Sequence, residues 1–184
     1  MSLPRRLFLP LLAALALALL AVGVSACGYE SHETEVAEGE PVELGDLSFN
    51  VTFSRYLNPN DTEDSAYLVG QENPPPEGET YFGVFFEVQN ETSESQTLPS
   101  TVHIMDADGQ RYDVLPSESL YAFPFGGEVE EHEQIPVLDS TPDLGPIEGS
   151  VAIFLLPEEA NENRPLILHI PGADGENGEV TLDL

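Results

Sequence analysis

Two runs of alternating side chains limit what this chain can become. Leu47, Phe49, Val51 and Phe53 alternate with Ser48, Asn50, Thr52 and Ser54. A repeat of two is that of an extended strand and cannot be kept by a helix, so residues 46–56 are expected to form a strand whose buried face carries all four apolar residues. The second run, 80–89, places Phe82, Val84, Phe86 and Val88 on one face and Tyr81 and Phe85 on the other. Apolar on both faces, it reads as a central strand.

Shorter segments of the same kind follow. Residues 95–98, 101–106 and 110–115 read as strands, the last two joined by Asp108-Gly109, a strong hairpin signal. Residues 134–138 are a candidate edge strand, limited by Pro136. Val151-Ala152-Ile153-Phe154-Leu155-Leu156, within 149–156, is apolar without interruption, as where both faces are covered. Residues 166–170 and 179–184 close the chain around a glycine-rich turn at 174–178. No helix is expected beyond residue 26. Seven to nine strands in about 140 residues argue an all-β fold, an immunoglobulin-like β-sandwich, with a closed barrel as the alternative.

The N-terminal stretch has another character. Arg5 and Arg6 precede an apolar run from Leu7 to Val24, interrupted only by Pro10 and Gly23, and no acid occurs before Glu30. The run closes on Val24-Ser25-Ala26-Cys27, with an aliphatic residue, then two small ones, then the only cysteine of the chain. This pattern reads as a lipobox: residues 1–26 are removed as a signal peptide and Cys27 becomes an N-terminus carrying diacylglycerol on its sulfur. One acyl chain holds a protein only marginally, whereas two or three hold it stably. An uncleaved anchor is the alternative, because 18 apolar or small residues sit at the edge of the length that crosses ~30 Å of hydrocarbon. Either way the rest of the chain lies outside the membrane. Arg5-Arg6-Leu7-Phe8-Leu9 resembles the core of a twin-arginine export signal, but the strongly hydrophobic run that follows favours the ordinary export route. With its single thiol used for lipid, the domain has no intramolecular disulfide to form.

Beyond Cys27, residues 27–41 carry five glutamates and little apolar bulk, and read as a disordered acidic tether to a domain spanning 42–184. From Cys27 onward three arginines stand against all 34 acids, a formal charge of −31, and the chain has no lysine. Without a basic patch to neutralise phosphates, nucleic acid is excluded as a partner. Acidic runs such as 128–133 and 157–162 fall between expected strands and read as solvated rims. The sharper readings are adaptation to high salt, or weak collective binding of divalent cations or of a basic partner.

Motifs that would carry chemistry mostly fail. Asp106-Ala107-Asp108-Gly109 resembles the opening of a calcium loop, yet its glycine stands fourth rather than sixth and Ser117 occupies the twelfth position. It is expected to be a hairpin turn. His32, His103, His132 and His169 show no metal-ligand spacing. No G-x-S-x-G occurs, and chance pairs among so many carboxylates carry no weight. No catalytic, cofactor or metal residue is therefore assigned; the one assigned site is the lipid attachment at Cys27, and no enzyme is expected. Two connections are weighed as binding loops. Asn58–Glu79 is long and contains Pro74-Pro75-Pro76 and the apolar island Tyr67-Leu68-Val69, which otherwise forms a short strand or plugs one end of the sandwich. Leu120–Gly127 carries aromatics that line a groove or, the favoured reading, cap the core.

Segment 81–90, then Leu98-Pro99, Ile104–Tyr112, Gly145–Gly149 and Phe154-Leu155-Leu156-Pro157 together resemble a domain-of-unknown-function family of bacterial lipoproteins. That family has the immunoglobulin-like sandwich of the mycobacterial secreted immunogenic protein. The resemblance runs over about residues 42–184, rests on strand and turn patterns, and implies a fold with no catalytic residues to carry over. The expected function is a lipid-anchored extracytoplasmic module with an interaction or structural role at the envelope, its partner an envelope protein or wall polymer. The alternative is a small-ligand or divalent-cation-binding lipoprotein, accessory to a transporter or envelope system.

Overall fold

The doubly apolar run and the uninterrupted one find each other. In the computed structural model, which describes residues 33–183, β4 (Glu79–Asn90) pairs antiparallel with β10 (Ser150–Pro157), setting Phe82 beside Phe154 and Val84 beside Ala152. On the other edge of β4 lies β3 (Leu47–Leu57), then β2 (Pro41–Leu44); the two-residue β9 (Gln134–Ile135) extends the β10 edge near the far end of β4. Facing this sheet is a second, in the order β1 (Glu33–Ala37), β12 (Asn177–Leu182), β11 (Leu166–Pro171), β6 (His103–Met105), β7 (Arg111–Asp113). A small ribbon joins β5 (Gln96–Thr97) to β8 (Glu128–Val129). Apart from that ribbon the strands divide into two separate sheets, so the fold is the immunoglobulin-like β-sandwich and not the closed barrel. More strands are present than the seven to nine expected, because several are only two or three residues long.

Between the sheets lie Phe49, Val51, Phe82, Val84, Phe86, Val88 and Phe154 from one side, and Ile104, Leu166, Leu168, Ile170, Val180 and Leu182 from the other. Alternation along each strand delivers these residues to one face. The prediction for β3 needs one correction. A bulge at Thr52 shifts the register, so that Val51 opposes Phe86 while Phe53 opposes Phe85. A single extra residue reverses every side chain beyond it. Phe53 therefore turns outward and is 43% exposed, while Ser54 and Tyr56 take the inward positions. Thr52 holds the bulge by donating its hydroxyl to the carbonyls of Phe85 and Glu148.

The tether reading is also corrected over its second half. Residues 33–37 form β1, paired in parallel with β12, and Val36 packs against the core. Acidic side chains on an edge strand deter pairing with a second molecule, which is why a strand can carry a tether's composition. Glu38 then locks this segment in place: its carboxylate accepts from the backbone and hydroxyl of Ser54 and from the backbone N–H of Asp183.

The absence of a helix is corrected as well. Thr62–Tyr67 is a short helix, α1, whose N-terminus is capped by the Asp61 side chain accepting from the N–H groups of Glu63 and Asp64.

Candidate functional site

Cys27 and His32 lie outside the described residues. The long connection 58–79 is within them, and the structure makes it a plug. α1 lies over the outer face of the β10-β4-β3 sheet, where Tyr81, Phe85, Val151, Ile153 and Leu57 would otherwise meet water. Tyr67 is 1% exposed and sits edge-on to both Phe85 and Tyr121, with ring centroids 5.1 and 5.0 Å away. Its apolar island is thus a cover on the sheet, and the short-strand reading is not met. Asp64, 3% exposed, is ion-paired with the Arg55 guanidinium and accepts from the Asn58 N–H, and Arg55 also reaches Glu63 at 3.1 Å. Further along, Gln71 donates to the carbonyl of Pro116, and the Tyr81 hydroxyl to that of Glu72. A loop tied at so many points is part of the scaffold.

Segment 120–127 likewise serves the core. Phe123 is buried, stacks obliquely on Phe86 and Phe125, and donates its N–H to the carbonyl of Val151. Leu120 alone stands far out, at 79% exposure.

Asp106 and its neighbours form the β6–β7 turn. One carboxylate oxygen accepts from the N–H groups of Asp108 and Gln110, the other from the Tyr112 hydroxyl at 2.8 Å, and Gly109 supplies the positive φ of +80°. These three hydrogen bonds serve the hairpin itself. Burial alone would push the Asp106 carboxyl up, but the donors from Gln110, Tyr112, Asp108 and Asn163 outweigh it and hold it below the usual carboxylate range. Burial, with Asp106 close by, pushes the Tyr112 phenol up to about 12. A depressed folded-state pKa contributes stability that is present above the unfolded value, about 3.9, and lost as pH falls through the folded one. Asp106→Ala is expected to lower stability by about 2 kcal/mol at pH 7, through the backbone donors it strands. Asp106→Asn, which keeps an acceptor for those donors, should cost less. In urea melts, the advantage of the wild type over Asp106→Asn should begin to shrink below about pH 4 and go on shrinking as the pH falls through the lower folded-state value; an advantage that stays constant from about pH 7 down to the most acidic pH at which the protein folds would contradict this role.

A polar groove runs along the outer face of β2, β3 and β4, lined by Glu43, Ser48, Asn50, Glu87, Gln89 and Glu91. Burial, then the neighbouring Glu148, raises the Glu87 carboxyl above its ordinary value; a hydrogen bond from Asn50 opposes the rise.

The other arrangement is on the opposite sheet, and sequence reasoning missed it. Strand registers set Glu35 beside Glu179, Glu179 beside His169, His169 beside His103, and His103 beside Asp113. Paired residues share a face. Their strand neighbours Ile104, Leu168, Ile170 and Val180 fill the core, so this row of five ionisable side chains lies on the outer face. The two imidazoles stack with centroids 4.8 Å apart and planes 7° from parallel. His169 Nδ1 lies 3.3 Å from Glu179 Oε1 and 3.2 Å from Asn177 Nδ2. Burial, then Arg111 and His169, pushes the His103 imidazole below its ordinary pKa, with Asp113 opposing. Sixty-six positions separate the two histidines, and only the β6–β11 register reveals the pair. Among the described residues no group of three or more His, Cys, Asp or Glu side chains gathers tightly enough to enclose a metal ion, and no helix is long and apolar enough to cross a membrane.

No family model matches the chain, and no curated protein matches it. Solved structures do. A functionally unknown protein from Listeria monocytogenes superposes with a TM-score of 0.51 over 80% of this chain and 83% of its own, at 7% identity. An uncharacterized β-sandwich protein from Clostridium difficile is 17% identical, covering 84% of this chain and 97% of its own, with a TM-score of 0.49. A secreted protein from Mycobacterium tuberculosis, MPT63, is 14% identical, covering 82% and 98%, with a TM-score of 0.47. At such identities these likenesses speak to the fold alone.

Proposed function

We propose that the chain is a lipid-anchored extracytoplasmic module, tied to the outer face of the cell membrane through Cys27, with an interaction or structural role at the envelope. The observation that carries this reading is the motif Val24-Ser25-Ala26-Cys27 at the end of an apolar leader, on the sole cysteine, with every acid on its C-terminal side. The fold adds a constraint. β1 starts at Glu33, so five residues separate it from Cys27, and an extended chain of that length reaches at most about 20 Å. The sandwich is thereby kept beside the headgroups, where its negative charge repels an anionic surface within a Debye length of ~8 Å.

On this reading the partner is an envelope protein or wall polymer and not a nucleic acid, and the module performs no catalytic step. Crosslinking in living cells followed by affinity purification, with Cys27→Ala as the control for location, tests it. One defined envelope component recovered with the wild type alone is the expected result. Equal recovery with the variant would remove the anchored role.

The acidic groove around Glu87 favours a second reading, a divalent-cation-binding accessory lipoprotein. It predicts that calcium raises the melting temperature beyond what a monovalent salt does at matched ionic strength.

A further inference from the structure

We infer that His103 and His169 form a binding site for a divalent transition-metal ion on the outer face of the β1-β12-β11-β6-β7 sheet, with Glu179 as the residue that positions His169. The inference is independent of how the protein is anchored.

Imidazole nitrogen suits borderline ions such as Zn2+, Ni2+ and Cu2+, whereas calcium and magnesium prefer oxygen. One ring of the pair has the carboxylate neighbour that ligating histidines commonly have. Glu179 Oε1 stands 3.3 Å from His169 Nδ1; in the tautomer with its proton on Nδ1 the ring turns that N–H toward the carboxylate and keeps the lone pair on Nε2, and a carboxylate behind an imidazole both fixes the ring and strengthens it as a ligand. Asn177 Nδ2 donates to Glu179 Oε1 at 3.3 Å and so steadies that carboxylate.

Each Zn–N bond is about 2.0–2.1 Å long, so two ligating nitrogens stand at most about 4 Å apart. The rings lie 7° from parallel with centroids 4.8 Å apart, so their in-plane lone pairs run side by side, and both rings must turn about their side-chain torsions to close on an ion. Two protein ligands leave the remaining positions to water, with Asp113 next to His103 across the β6–β7 register. The chain's −29 formal charge raises the local concentration of cations. Solvent reaches the pair: the side chains of His169 and Glu179 are 13% and 21% exposed.

The test is a titration of the full-length protein, purified in detergent, with ZnCl2, followed by calorimetry and by NMR of the histidine side-chain nitrogens. One ion per chain is expected, with the His103 and His169 Nε2 resonances both moving and those of His32 and His132 still. His103→Ala and His169→Ala should each weaken binding at least about tenfold, and Glu179→Gln should weaken it about tenfold while leaving the site filled at saturation. Excess calcium should not compete. Resonances of His103 and His169 that stay fixed while zinc binds, or His→Ala variants that bind as tightly as the wild type, would overturn the site. The resonance readout uses unmutated protein, so it decides the question even if a variant folds poorly.

Discussion

Replacing Cys27 with Ala is expected to convert the protein from a processed, membrane-held form to an accumulating unprocessed precursor. The thiol is the only nucleophile in the chain able to carry the thioether-linked diacylglycerol, and the signal peptidase of lipoproteins acts on the modified residue. The effect should be close to all-or-none, because one acyl chain gives only a marginal membrane affinity of about 10⁴ M⁻¹ and two hold a protein stably. An uncleaved anchor makes the opposite prediction: 18 apolar or small residues span the membrane whatever side chain stands at position 27. Electrophoretic mobility and membrane fractionation of wild type and variant, side by side, separate the two.

Tyr67→Ala is expected to be the most damaging single change in the connection 58–79, at about 3–5 kcal/mol, the range for removing a buried aromatic ring. The ring fills the space between α1 and the outer face of the sheet, and its loss leaves a void bounded by Phe85 and Tyr121. For a domain of this size the melting temperature should fall by about 10 °C. Leu120→Ala, at a side chain that stands in solvent, should change stability by less than about 0.5 kcal/mol. Were the loop instead a binding element, Tyr67→Ala would lose partner capture while keeping its melting temperature.

The strands that carry the core were legible because each holds a long period-two or uninterrupted apolar run. β3, β4, β10 and β11 are of this kind, and their observed limits fall within two residues of those expected. What escaped was short, acidic or dependent on pairing. β1 was hidden by its glutamates, although Val36 already points to the core. α1 is too brief to show a helical repeat; its one local sign was Asp61 followed by acids in the first turn. The outward turn of Phe53 depends on a bulge at Thr52 that composition does not announce. The pairing of His103 with His169 lies deepest, since each strand looks ordinary alone and only their register sets the rings together. Cys27 is the reverse case: its assignment rests on sequence alone, and it lies outside residues 33–183.

The intact mass of the protein extracted from cell membranes tests the central claim most directly. The account predicts a chain that begins at Cys27, lacks residues 1–26, and carries on its N-terminal residue the added mass of a diacylglyceryl group. A membrane-held chain that still begins at Met1, or one that begins at an unmodified Cys27, would contradict it.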